Sequence, residues 1–189
     1  SQTEEFEDVP TKDDFDSDEF EFIELKNAGV ETLDFAKAMI ARFGAGLAAI
    51  ARHVEQVPES KRKRVYFESI HRRMKTFAAA SMAVFVLQAA GGINIADDAV
   101  QVRSTNIAEY GKERILAKAD QIDVFLAQKG RMNPVSKEMI IKEPGFQVIK
   151  AVRQGQVFLV DEKKVSRPTM DLLQGIKEIF AVLYPQAEA

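Results

Sequence analysis

From Leu33 onward, apolar side chains recur at Ala36, Ile40, Phe43, Leu47, Ile50, Val54 and Val57, in alternating steps of three and four. That spacing lays one apolar stripe along a long helix that starts near Glu31 and is stopped by Pro58. Gly44 and Gly46 interrupt the stripe, each costing about 1 kcal/mol against alanine. They favour a helix braced against its own domain over a free-standing coiled coil between two chains. Val65-Tyr66-Phe67 predicts the first strand of the globular part, after the basic cluster Lys61 to Arg64. The stretch ESIHRRMKT then reads as a polar loop at the carboxyl end of that strand. Phe77 to Ala90 is almost wholly apolar, so it predicts a helix buried on most sides, ended by Gly91-Gly92. A loop opens at INIADD, and Lys112 to Ala119 predicts a short helix carrying Glu113.

The stretch from Gln121 to Met170 organises the rest. Two short apolar runs, Ile122 to Ala127 and Val157 to Val160, predict buried strands. Between them a helical segment restarts at Glu143-Pro144-Gly145, where proline suits a first helical turn because its missing N–H costs nothing there. Gly155 closes that helix in left-handed geometry. Strand, crossover helix and strand make a βαβ unit, with parallel strands and a right-handed crossover. Ser166-Arg167-Pro168 opens a last helix to Tyr184, with Leu173, Ile176, Phe180 and Leu183 on one face. The expected fold class is therefore α/β: an open, mostly parallel sheet flanked by helices, preceded by one long helix.

Charge divides the chain unevenly. Overall it carries −3, yet residues 1–24 hold eleven acids against one base, Lys12, so the remainder is net basic. The bases are scattered and tryptophan is absent, which argues against a nucleic-acid face. Residues 1–24 read as an acidic leader or as the end of a preceding lobe, because such charge density opposes compaction. Within Phe22 to Phe35, ELKNAGVETLDF reads as a helix end, an Asn-Ala-Gly turn and a short extended piece. Residues 25–60 then form a connecting segment and the long helix, and residues 61–189 an α/β lobe.

Candidate chemistry is sparse. No cysteine is present, which removes disulfides, thiolate nucleophiles and cysteine metal sites, and His53 and His71 are too few for a histidine-rich metal cage. No run of eighteen apolar residues occurs. Neither a nucleophile elbow nor a glycine-rich phosphate loop is found, so no catalytic residue and no resident cofactor is assigned. A small α/β enzyme using His71 stays open as an alternative, as does a dimeric interaction protein sealed by the 33–57 stripe. Ligand binding is the stronger reading. In open α/β sheets ligands settle beyond the carboxyl ends of the strands, and three loops lie there. One holds His71, Arg72, Arg73, Met74 and Lys75; another Lys129, Arg131 and Asn133; the last Lys163, Ser166 and Arg167. Guanidinium forks on each suit carboxylate, phosphate or oxygen-rich chelate ligands.

Four segments in this order resemble a known family. They are the helix ending AGGINIA, the segment ERILAKADQID before a strand, the run PGFQVIKAVRQGQVFLV, and SRP opening the last helix. Over about residues 61–185 they look like the C-terminal lobe of class III periplasmic substrate-binding proteins, the receptors of ABC importers for iron–siderophore complexes, haem and cobalamin. The resemblance implies a non-enzymatic, periplasmic or otherwise extracytoplasmic receptor that at full length is monomeric and open to a lipid anchor. It implies a metal-chelate ligand held between two lobes and a permease partner in the membrane. The long helix resembles the rigid helix that joins the lobes, and the N-terminal lobe is missing, which suggests a piece of a longer receptor. Glu113, in KERILAKA, matches the family's permease-docking glutamate. His71, Arg72, Arg73, Lys129, Arg131, Asn133 and Arg167 are the ligand-side candidates by position.

Overall fold

The computed structural model describes residues 30–185, and for residues 30–32 the backbone only. The acidic leader and the Asn-Ala-Gly turn lie outside the described residues. The chain forms two compact units, residues 1–45 and 46–189. In the first, residues 30–45 belong to helix α1 (Val30–Glu55), and the extended piece expected up to Phe35 is helical from Val30 onward. Leu33, Phe35 and Ile40 are exposed there.

The second unit holds the rest of α1 and an open seven-stranded sheet. Its strands are β1 (Arg64–Ile70), β2 (Lys75–Phe77), β3 (Ile93–Asn94), β4 (Val100–Gln101), β5 (Ile107–Glu109), β6 (Val124–Lys129) and β7 (Val157–Asp161). They run in the order β4-β5-β2-β1-β6-β7, with β3 pairing the start of β1. The sheet is mixed and largely parallel. β3, β1, β6 and β7 are parallel, as expected for the βαβ unit, whereas β2, β5 and β4 extend it in antiparallel fashion.

Val65, Tyr66 and Phe67 in β1 and Phe125 and Leu126 in β6 are fully buried. Their unbroken apolar character follows, because a parallel strand covered on both faces has no solvent side. One face, through Tyr66, Phe125 and Ala127, packs on α3 (Lys112–Ala117), α4 (Lys137–Lys142) and α5 (Lys150–Arg153), and the core there includes Ile115, Ile140 and Phe146. The opposite face is covered by α2 (Met82–Ala89) and α6 (Asp171–Leu183), which pack on each other. Ile50 and Val54, the later part of the α1 stripe, are buried in this unit. The stripe is thus used internally from its middle onward.

Four expected boundaries shift. Glu68 to Ile70 continue β1, and Lys75 to Phe77 return antiparallel to it, so ESIHRRMKT is a tight hairpin and not a polar loop. Buried Ser69 and Thr76 fit the sheet by donating their hydroxyls to the carbonyls of Thr76 and Phe67, at 2.8 and 2.7 Å. The apolar helix begins only at Met82, because the hydroxyl of Ser81 caps it by accepting the Val84 N–H. Pro144-Gly145 separates two helical pieces where a first turn was expected, since Gly145 sits at φ +88. The last helix likewise starts at Asp171, beyond Pro168.

Candidate functional site

The carboxyl ends of β1 and β6 lie side by side, and the chain leaves each through a tight turn. After β1, residues His71–Arg73 form one 3-10 turn that closes on Met74. Met74 takes the left-handed conformation at φ 48, which costs a non-glycine residue about 1 kcal/mol or more. That strain folds β2 back at once and leaves the Met74 side chain at the strand end. After β6, the side chain of Asn133, itself buried, ties the two turns together. Its carbonyl accepts the His71 backbone N–H at 2.9 Å and its amide donates to the Gln128 carbonyl at 2.7 Å.

Between these turns and α4 opens a cleft of about 720 Å³, a size suited to a small organic ligand or chelate. Cations stand around it in Arg72, Arg131 and Lys142. Its apolar lining includes Met74, Met132 and Met139, whose thioethers are soft and adaptable. Asn133, His71 and Glu143 complete the wall.

His71 is not solvated, as a lone histidine in a polar loop would be. Its side chain is 7% exposed and its Nδ1 lies 3.0 and 3.1 Å from the two carboxylate oxygens of Glu68, which is wholly buried. Facing an ionised Glu68, which can only accept, Nδ1 is the donor. On the other side, Nε2 is 3.8 Å from a carboxylate oxygen of Glu143. The second Glu143 oxygen accepts from Lys112 Nζ, which also donates to the Pro144 carbonyl at 3.2 Å. The ring meets Phe146 edge-on. Its hydrogen bond to Glu68 raises the His71 pKa; burial opposes this, and the charges of Glu68 and Glu143 add to the rise. Burial also pushes the Glu68 carboxyl up, against the hydrogen bond from His71.

Of the residues expected from sequence, the structure gathers His71, Arg72, Arg131 and Asn133 in one cleft. Arg73 and Lys129 are exposed and Arg167 is half-buried; none of the three belongs to this lining. Glu113 is exposed in the first turn of α3. Glu68, Glu143, Lys112 and Lys142 were missed. Glu68 carried a signal, an acid inside an apolar strand run three residues before a histidine. Glu143 and Lys112 carried none, because they are 31 residues apart and meet only through packing.

A family model described as periplasmic binding protein matches residues 29–164. The chain belongs to the periplasmic binding protein family. This is a class of binding proteins, not of enzymes. No curated protein matches the chain. Among solved structures, an ABC transporter solute-binding protein from Sulfurospirillum deleyianum matches with a TM-score of 0.67 and 23% identity, over 84% of this chain and 48% of that one. MolA of Haemophilus influenzae, bound to molybdate, matches with a TM-score of 0.68 and 21% identity, over 83% and 46%. A protein of an Fe3+-hydroxamate transport system from Saccharomonospora viridis matches with a TM-score of 0.64 and 20% identity, over 80% and 50%. This binding-protein chain therefore spans about half the length of the solved structures it resembles.

Proposed function

We propose that the chain is the C-terminal lobe of a two-lobed solute-binding protein of an ABC importer, and that its cleft holds an anionic metal chelate. The observation that carries this reading is the cleft itself. Arg72, Arg131 and Lys142 surround soft, apolar walls at the carboxyl ends of two parallel strands, where open α/β sheets take their ligands. An oxygen-rich chelate of the siderophore type, or the carboxylates of haem, match such cations, and a cobalamin-like compound is the third candidate. Solved structures of about twice the length support a second lobe that closes over the ligand. An extracytoplasmic location and a permease partner, met by Glu113, follow from the same reading. Among the described residues, no helix is long and apolar enough to cross a membrane.

The test is titration calorimetry with ferric hydroxamate, haem and cobalamin. One of them should bind, and weakly to this lobe alone, which lacks half of the contacts. Arg131→Ala should weaken binding roughly tenfold or more, the loss expected for a hydrogen bond to a charged group. If no anionic chelate binds to the two-lobed protein, the reading is lost.

A further inference from the structure

The feature that the family does not explain is the row Glu68–His71–Glu143–Lys112. It joins the centre of the sheet to the wall of the cleft, and its distances are those of ion pairs. We propose that His71 is a proton-operated switch for this cleft. Protonated, its imidazolium draws Glu143 against the wall and adds positive charge beside the ligand. Deprotonated, it frees a carboxylate oxygen of Glu143 to face the ligand and repel an anion. The chelate reading supplies the anion; the switch itself rests on the protein alone.

Geometry supports each part. Nδ1 lies against both oxygens of Glu68, which is 0% exposed, and this contact holds the ring in place. The proton in play is therefore the one on Nε2, which faces Glu143 at 3.8 Å. Glu143 is a hinge for that proton. Lys112 from α3 holds one oxygen, and the other has only His71 opposite it among the ion pairs of the described residues. Of the charged groups around the ring, Glu68 on β1 and Glu143 after α4 favour the imidazolium, and Lys112 on α3 disfavours it. Arg72, next in the chain, and Arg131 and Lys142 across the cleft stand with it around the ligand space. Asn133 and Phe146, the remaining neighbours, carry no charge. The hydrogen bond to Glu68, helped by the charges of Glu68 and Glu143, outweighs burial and the Lys112 charge, so His71 titrates above the usual histidine value of 6.5. Anion binding should accordingly be strong below that midpoint and fall as pH rises through it.

The chain has two histidines and six methionines, which makes it suited to nuclear magnetic resonance. Ring nitrogens, assigned with His53→Gln and His71→Gln, are followed against pH together with the methyl groups of Met74, Met132 and Met139. His71 should titrate above 6.5, and the three cleft methyls should move with the same midpoint. Glu143→Gln, on a partly exposed side chain, should lower the midpoint. A His71 that titrates at or below the ordinary value, or cleft methyls indifferent to its titration, overturns the switch. Ferric citrate serves as the anionic probe on either side of the midpoint. Its affinity should drop about tenfold at the higher pH, the order expected for one charge a few ångströms from an anion near a protein surface. In His71→Gln that drop should vanish. Equal affinity at both pH values in the unaltered protein also overturns the switch. Absence of ferric citrate binding at either pH counts against the chelate reading, while the resonances still decide the switch.

Discussion

At position 175, in the middle of α6, a side chain has no room. A Cβ there would stand 2.1 Å from the backbone oxygen of Lys164, in the turn that follows β7. Helix propensity alone favours alanine by about 1 kcal/mol, but a backbone atom cannot give way as a side chain can. Gly175→Ala should therefore destabilise the fold by about 1–3 kcal/mol, the range for overpacking, seen as a lower Tm. Gly46 is the control. A Cβ there would press on the ends of the Leu173 side chain, which can rotate, so Gly46→Ala should cost less. If both substitutions raise Tm, propensity rules and the packing account fails. His71 shows the same dependence on surroundings. Its raised pKa makes its contribution to stability complete below 6.5 and lost as pH rises through the folded value.

Elements are joined by a few polar clamps, and Asp123 is the clearest. One of its carboxylate oxygens accepts the Arg64 N–H at 2.9 Å, at the start of β1, and the other accepts from Lys150 on α5 at 2.6 Å. Burial pushes this carboxyl up, but the two hydrogen bonds prevail and its pKa is lowered. The sign is opposite to that of His71. Stability from Asp123 is present above the usual aspartate value of 3.8 and is lost as pH falls through its folded pKa. Asp123→Asn should lower stability by about 1–3 kcal/mol at neutral pH and less in acid. Urea unfolding curves at several pH values measure this, and a difference that stays constant into acid refutes it.

For the whole molecule, the question is what α3 presents to the outside. Its flanking cations are engaged, Lys112 with Glu143 and Arg114 with Asp98 at 2.6 Å. Arg114 also stacks on Tyr110, 4.6 Å from the ring centre. Glu113 between them is exposed on a helix held in place. If it docks on a cationic pocket of a permease, Glu113→Lys should abolish stimulation of the importer's ATPase and leave chelate affinity as it was, because like charges across an interface cost several kcal/mol. Stimulation that survives the reversal removes Glu113 from the docking role.

Much of this architecture was legible in order of residues alone. Short apolar runs at Val65–Phe67, Val124–Ala127 and Val157–Val160 read as buried strands by their length and β-branched or aromatic content, and the helices between them follow from spacing and from stops such as Gly91 and Gly155. The arginines and Asn133 could be assigned to strand ends because a βαβ unit puts its connections there. What chain order could not supply was the environment of His71. Whether that ring meets water or two carboxylates depends on Met74 turning the chain back and on Glu143 arriving beside a strand from which it is remote in sequence. Local periodicity is set by each segment's own backbone geometry and burial, so sequence determines it directly. Charge pairing between distant segments exists only after packing brings them within a few ångströms, and so the tertiary structure alone decided the chemistry of the cleft.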